Sequence, residues 1–271
     1  MDLNRLTIHA VNAALDAGNL IKRYQDVEVE VLHKDGGDTY ASQVVTEVDQ
    51  KAQDAILRIL EPTCCEFDLA LLTEESEDDR SRFEKNYFWC IDPLDGTLAF
   101  VNKYPGFSVA IALVDKNGIA QIGVVYDLST KNLYTAIKNK GAFKNGQPWK
   151  VTSNNQYLTY VTDKQLSETP NKTKILALLG DKISSLKLSN FKEIAGAGAV
   201  LNAILVVENA PALFLKLPKK EKGGGSLWDF AATSCIFNEL GLRASTFNGS
   251  ELNLNPKETS FMNTEGIYFS T

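Results

Sequence analysis

The chain has 271 residues, 44% of them apolar, enough to bury a core without covalent staples. Its 28 basic and 34 acidic residues leave a net charge of −6, so the basic footprint of a nucleic-acid binder is missing and an anionic substrate needs local positive charge or a metal ion. No apolar leader with a basic flank and no run near the roughly 20 apolar residues of a membrane span is present, so a soluble protein with no membrane partner is expected.

Apolar residues at Leu3, Leu6, Ala10, Ala13, Ala17, Leu20 and Tyr24 keep the spacing of one helical face, which predicts an amphipathic helix over residues 2–25. A polar, glycine-containing loop at 34–38 comes next. A second helix is predicted from near Thr46 through Ile56 and Leu60, stopping at Pro62. Residues 87–91, rich in aromatics, read as a covered strand, and Pro93 is expected to end its ladder and turn the chain. Residues 109–114 and 119–126 are β-rich runs around the hairpin signal Asp115-Lys116-Asn117-Gly118. Residues 133–137 extend an antiparallel meander, Asn145-Gly146 marks another turn, and 152–170 reads as less regular. A boundary near 150 is expected, separating an N-terminal α+β domain (1–150) from a C-terminal α/β domain (151–271). The second half alternates, with a helix or strand at 175–179, a helix at 199–207, a strand at 212–217, a helix at 228–240 and a last strand near 266–269. The basic, glycine-rich stretch 219–225 lies between the strand at 212–217 and the helix at 228–240. Cys64 and Cys65 are adjacent and Cys90 and Cys235 stand apart, showing neither metal-ligand spacing nor scaffold density, so reduced thiols and a cytoplasmic location are expected.

The most informative stretch is Asp92-Pro93-Leu94-Asp95-Gly96-Thr97, which ends a buried strand with two carboxylates and so suits a divalent metal. Gly96 permits close backbone approach, and residues 97–101 can open a helix whose N–H groups favour an anion beside the metal. The alternative for the hexapeptide is an Asx-Pro turn with Asp95 as a helix cap. Thr73-Glu74-Glu75-Ser76 adds a carboxylate after another apolar segment, or else joins Glu77, Asp78 and Asp79 in a solvated acidic run. Thr46-Glu47-Val48-Asp49 has the spacing of a capping box. Trp228-Asp229 opens an apolar helix, where a capping Asp is again the structural alternative. Oxygen donors select magnesium over zinc, and neither His9 nor His33 has a metal-ligand spacing. No nucleophilic Cys or Ser motif is apparent, so attack by water is preferred to a covalent enzyme intermediate.

Taken in order, Val45-Thr46-Glu47-Val48-Asp49, Glu74-Glu75-Ser76, Asp92-Pro93-Leu94-Asp95-Gly96-Thr97, Gly123-Val124-Val125-Tyr126, Gly141-Ala142-Phe143 and Trp228-Asp229-Phe230-Ala231-Ala232 span nearly the whole chain. In this order the sequence resembles the inositol monophosphatase superfamily of magnesium-dependent, lithium-sensitive phosphatases. The resemblance implies a layered α-β-α-β-α sandwich of mixed α+β and α/β character, with an N-terminal antiparallel sheet, commonly assembled as a homodimer. It implies two or three Mg2+ ions, with Glu74, Asp92, Asp95 and Asp229 as side-chain ligands and Leu94 offering its carbonyl. Asp49 and Thr97, together with Glu74, would be the catalytic residues that orient and deprotonate water, while Gly96 and Thr97 present N–H groups to the phosphate. Hydrolysis of a phosphate monoester dianion needs such metal, because the charge on its oxygens otherwise repels the nucleophile.

The substrate end departs from the inositol-specific pattern. Gly196-Ala197-Gly198 replaces a Gly-Thr-Ala or Gly-Ser-Ala step, and Lys222 stands where a glutamate is usual. Residues 214–218 resemble 3'(2'),5'-bisphosphate nucleotidases, which makes 3'-phosphoadenosine 5'-phosphate the best specific expectation and inositol 1-phosphate the alternative. Gly196, Ala197, Lys216, Lys219, Lys220 and Lys222 are the candidate substrate residues, the lysines serving a second phosphate or else forming a solvated loop. A non-catalytic regulatory relative is the alternative of another class, and the completeness of the ligand positions argues against it.

Overall fold

The computed structural model describes residues 1–27, 31–33, 44–154, 156–262 and 264–271; the polar loop expected at 34–38 lies outside them. The helical spacing near the N-terminus becomes α1 (Leu3–Tyr24), capped by Asp2, whose Oδ1 accepts the N–H groups of Asn4 and Arg5 at 3.0 and 3.1 Å. A short antiparallel pair, β1 (Val31–His33) and β2 (Val44–Thr46), leads into α2 (Glu47–Phe67). Pro62 does not stop this helix as expected. It sits on the exposed side, as does Arg58 one turn earlier, so the carbonyl that loses its donor can be hydrated. The helix ends instead at Asp68, which takes a left-handed conformation with φ 55°.

Seven strands then pair in chain order: β3 (Ala70–Thr73), β4 (Tyr87–Asp95), β5 (Ser108–Asp115), β6 (Ala120–Asp127), β7 (Leu133–Ile137), β8 (Gly141–Lys144) and β9 (Gln147–Pro148). All neighbours are antiparallel except β3 and β4, which run parallel. That exception brings the C-terminal ends of β3 and β4 side by side. The turns at 115–118 and 145–146 fall where the sequence placed them. Pro93, however, does not end β4, which runs on to Asp95. The register against β5 passes from Asp92 opposite Ala110 to Asp95 opposite Ser108, leaving an extra residue on β4. Such a bulge accommodates a residue that has no N–H to donate and re-aims the side chains around it.

The second half forms a five-stranded sheet, and its interior strand β10 (Leu158–Thr162) lies inside the stretch expected to be irregular. Its parallel neighbours are β11 (Phe191–Ala195) and β12 (Ala212–Lys216), and beyond β12 come β14 (Ile267–Ser270) and β13 (Arg243–Ser245), antiparallel. Three helices complete this half: α4 (Lys172–Ser185), α5 (Ala199–Glu208) and α6 (Leu227–Glu239). Between β4 and β5 a five-residue helical turn, α3 (Thr97–Val101), completes the helices of the first half.

The layers follow from the side-chain alternation of β4. Trp89 and Ile91 point to one face, where α1 and α2 pack through Leu6, Ala10, Ala17 and Ile56. Phe88 and Cys90 point to the other, where α5 and α6 contribute Val206, Phe230 and Phe237 and meet Phe214 and Phe269 of the second sheet. Both faces are covered, which is why the strand reads as an unbroken apolar run. The outer face of the second sheet, with Tyr160 and Leu213, is covered by Ile175 and Leu179 of α4. The result is the expected α-β-α-β-α order. Among the described residues no helix is long and apolar enough to cross a membrane, and the four cysteines are free thiols.

The central layer sits very close to the first sheet at Gly123, where an added Cβ would lie 2.2 Å from the Ala232 carbonyl oxygen and 3.0 Å from Cys235 Cβ. Gly123→Ala is expected to push α6 off the sheet at a cost of about 1–3 kcal/mol. A thermal melt followed by circular dichroism should show a Tm lower by several degrees with the secondary structure retained; an unchanged Tm would mean that the two layers separate freely.

Candidate active site

Three carboxylates converge where β4 ends and α6 begins. The oxygens of Asp92, Asp95 and Asp229 lie within 4.8 Å of one another, although the first two belong to the seven-stranded sheet and the third to the first turn of a helix 134 positions further on, counting from Asp95 to Asp229. Each is held by backbone. The Leu94 N–H donates to Asp92 Oδ1 at 3.1 Å, and the Ser226 N–H donates to Asp229 Oδ2 at 2.5 Å in a capping box. Asp95 receives the Ala199 N–H on Oδ1 at 3.0 Å and the Val200 N–H on Oδ2 at 3.1 Å, both from the start of α5, with the Ser108 hydroxyl at 3.4 Å. Gly198 makes this approach possible, since a Cβ there would fall 2.3 Å from Asp95 Oδ2.

Glu74 joins them because its N–H donates to the Ile91 carbonyl at 3.1 Å, carrying the parallel pairing of β3 and β4 one residue further. Its side chain shares a hydrogen bond with Asp92. The residues after it are braced by Gln53 of α2, which accepts the Glu75 N–H at 3.2 Å and donates to Ser76 Oγ at 2.8 Å. Asp49 lies alongside. Its Oδ2 accepts the Thr46 N–H at 2.8 Å and the Thr46 hydroxyl at 2.6 Å, closing the expected capping box, while Oδ1 accepts the Thr97 hydroxyl at 2.9 Å. The Thr97 Oγ1 is also 3.0 Å from the Leu94 carbonyl, so two acceptors compete for its one proton.

Burial is the main reason that Asp49, Asp92, Asp95 and Asp229 resist ionisation. Asp92 is pushed well above the usual carboxylate range by burial and then by the charges of Glu74, Asp95 and Asp229. Asp95 is raised by burial, Asp229 and Glu74, against the relief of Lys216 and the Val200 N–H. Asp229 reaches about 6 through burial and Glu74, with Lys216 opposing. Asp49 also reaches about 6, chiefly through burial, with the Thr46 hydrogen bond opposing and Glu74 adding to the rise. A cluster of oxygen donors that repel one another out of water is a fit for a hard divalent cation, which relieves both penalties at once.

The other expected residues are placed as follows. Gly96 takes φ 81° and begins the 97–101 helical turn; a Cβ on it would fall 2.5 Å from the Gly106 carbonyl oxygen. Gly196 and Ala197 precede α5 and line a cleft of about 380 Å3 that also has Pro105, Asp127, Tyr134 and Glu208 in its wall. Lys216, at the end of β12, donates to Asp163 Oδ2 at 2.8 Å. It is grouped electrostatically with the acids, whereas Lys220 and Lys222 lie exposed on the glycine-rich loop and Lys219 is half-buried there. The supposed solvated run is partly structural: Asp78 pairs with the buried Arg82 at 2.9 Å, and Asp79 accepts the Ser81 N–H at 2.9 Å. Gln53, Ser108, Asp163 and Gly198 had no place in the sequence-based site. Gln53 carried one usable signal, a polar residue four positions after Asp49 on the apolar side of α2.

The raised carboxyl groups set a pH dependence for the metal-free protein. Because their folded-state values lie above their ordinary ones, the folded state holds more protons than the unfolded chain between about pH 4 and 6, and stability falls as pH rises through that window. With chelator present, Tm is expected to drop from pH 5 to pH 8. Asp92→Asn removes one member of the repelling set and should raise Tm at pH 8 and flatten the drop. Calorimetry giving the same pH profile for both proteins would contradict this electrostatic picture.

Comparison with known proteins agrees with the geometry. The sequence profile described as the inositol monophosphatase family matches residues 2–268. Inositol monophosphatase 3 of Solanum lycopersicum is 32% identical over 260 residues, which cover 94% of this chain and 90% of that protein. Among solved structures, CysQ from Bacteroides thetaiotaomicron, a bacterial member of the same family, has a TM-score of 0.75 at 24% identity, over 98% of this chain and 97% of its own. An IMPase/NADP phosphatase in complex with NADP and Ca2+ has a TM-score of 0.76 at 19% identity, over 100% and 92% of the two chains. At such identities the structural likeness concerns the fold, and the family rests on the sequence match over nearly the whole length. The chain belongs to the inositol monophosphatase family.

Proposed function

We propose that the acidic cluster is the active site of a magnesium-dependent phosphomonoesterase that hydrolyses a small phosphate ester by direct attack of water. The observation that carries this reading is the convergence of Asp92, Asp95 and Asp229 beside Glu74, with the Thr97 hydroxyl bonded to Asp49 at 2.9 Å next to them. Glu74, Asp92, Asp95 and Asp229, with the Leu94 carbonyl, would hold two or three Mg2+. When bound, these ions neutralise the phosphate dianion and acidify a coordinated water.

The chain's own groups then supply the proton path. Asp49 is pinned by Thr46, so its Oδ1 stays aimed at Thr97. As water attacks phosphorus, its proton passes to Thr97 Oγ1 while the hydroxyl's own proton passes to Asp49 Oδ1. The bond from phosphorus to the ester oxygen breaks, the alcohol leaves after taking a proton from solvent, and inorganic phosphate remains. Gly96 and Thr97 would offer N–H groups to the phosphate oxygens, which the left-handed glycine leaves open to close approach. Residues 151–271 contribute Asp229 and the substrate side to a site otherwise built by 1–150.

For the substrate, the preferred reading is 3'-phosphoadenosine 5'-phosphate, giving AMP and phosphate, because Ala197 lacks a hydroxyl for a sugar ring and Lys216, Lys219, Lys220 and Lys222 offer charge to a second phosphate. Inositol 1-phosphate is the second reading, favoured by the 32% identity to a plant inositol monophosphatase. Lithium sensitivity and a homodimer are read from the family, and a cytoplasmic location from the cysteine pattern. A panel of 3'-phosphoadenosine 5'-phosphate, inositol 1-phosphate and sugar phosphates assayed with Mg2+ separates them: the highest kcat/KM is expected for the nucleotide, and a higher value for inositol 1-phosphate replaces the first reading with the second. No phosphate release from any of them, with or without Mg2+, would favour the non-catalytic class.

Thr97→Ala is expected to lower kcat by about 100-fold or more with a smaller change in KM, as loss of a proton-transfer group does. Asp49→Asn should match it, and the double variant should be little worse than either, because the two groups act as one unit. Steady-state kinetics with fully additive losses would separate their roles.

A further inference from the structure

Among the described residues, Lys216 is a cation set beside these acids. The Lys216 side chain is only 17% exposed, and its ammonium is tied to Asp163 at 2.8 Å. It lies 5.8 Å from the ring centroid of Phe214 and 6.0 Å from that of Phe230, the residue next to Asp229. Asp163 is fixed in turn: its Oδ1 accepts the Asn202 amide at 2.8 Å, and the same amide nitrogen donates to the Ala197 carbonyl at 3.0 Å. Asn202 is fully buried in α5, the helix whose first N–H groups hold Asp95. The ammonium is therefore anchored to the framework that anchors the acids, unlike the ammonium of a solvated surface lysine. Its influence is mutual, for the charges of Asp163, Asp229 and Asp95 hold Lys216 protonated against burial, and Lys216 opposes the rise of both Asp95 and Asp229.

We propose that Lys216 is a positioning residue that acts as a built-in counter-cation for Asp95 and Asp229, held in place by Asp163, so that it stabilises the metal-free site and weakens the binding of divalent cation to those two acids. This rests on the reading of the cluster as a metal site. A positive charge fixed by Asp163 beside the helix that carries Asp229 does two things to neighbouring carboxylates. It lowers the repulsion among them when no metal is present, and it repels an incoming divalent ion in a poorly screened setting. Asp163 sets the balance, because its own negative charge offsets part of that repulsion.

Two variants move the charge in opposite directions. Lys216→Met keeps the length of the stem and removes the charge, whereas Asp163→Asn keeps a hydrogen-bond acceptor for Lys216 and removes the offset. Chelator-treated proteins should be titrated with Mg2+ by isothermal calorimetry and melted with and without the ion at pH 8. Lys216→Met is expected to bind Mg2+ about tenfold more tightly and Asp163→Asn more weakly than wild type. The metal-free Tm of Lys216→Met should fall, and saturating Mg2+ should recover most of the loss. A general folding defect would weaken binding in both variants, so the opposed signs are the diagnostic. Wild type that binds Mg2+ while Lys216→Met binds it no more tightly overturns the counter-cation role and leaves the metal site standing. A wild type that binds no Mg2+ overturns both.

Discussion

The start of α5 holds both oxygens of Asp95 through two backbone N–H groups, and the geometry of the acids depends on that junction. A helix N-terminus presents unpaired donors and the positive end of the helix dipole, so it can fix a buried carboxylate without neutralising it. Asp95 in turn follows the bulge of β4 that also aims Asp92. The contact between one glycine, Gly198, and one carboxylate thus joins the two sheets across the central layer. Asp229 is drawn in because α6 packs against α5 and the first sheet, bringing its capping box to the same place.

The same packing explains why the cluster is under tension. Asp49, Asp92, Asp95 and Asp229, from three different elements, are taken out of water together, which costs stability in proportion to how strongly each resists ionisation. The fold meets the cost with backbone donors to Asp92, Asp95 and Asp229 and with the charge of Lys216. What results is a site organised for positive charge before any arrives, which is the condition for electrostatic catalysis with little rearrangement.

Asp49 shows how one side chain can serve structure and chemistry together. It closes the capping box of α2 with one oxygen and meets Thr97 with the other. The capping reading and the catalytic reading of Thr46-Glu47-Val48-Asp49 were alternatives only as long as each was granted the whole carboxylate. Two oxygens allow both, and in the proposed reaction the cap would hold Oδ1 toward Thr97.

Local pattern determined a large part of this protein: the amphipathic α1, the hairpin at 115–118, the covered strand at 87–91 and the order of the acidic motifs, because each depends on neighbours in sequence and on side-chain period. Where the sequence misled, a tertiary context had overridden a local rule. Pro62 is tolerated on a solvated helix face, Pro93 in a bulge, and β10 is a strand because it lies between two parallel neighbours, β11 and β12, that are distant in the chain. Only the tertiary structure decided that Asp163, Gly198 and Gln53 belong beside the acids, that Lys216 faces them, and that β3 and β4 run parallel so that Glu74 reaches Asp92. Those facts concern contacts between segments far apart in sequence, whose free energy comes from burial and from charges brought together by folding, and no spacing along a single segment encodes them.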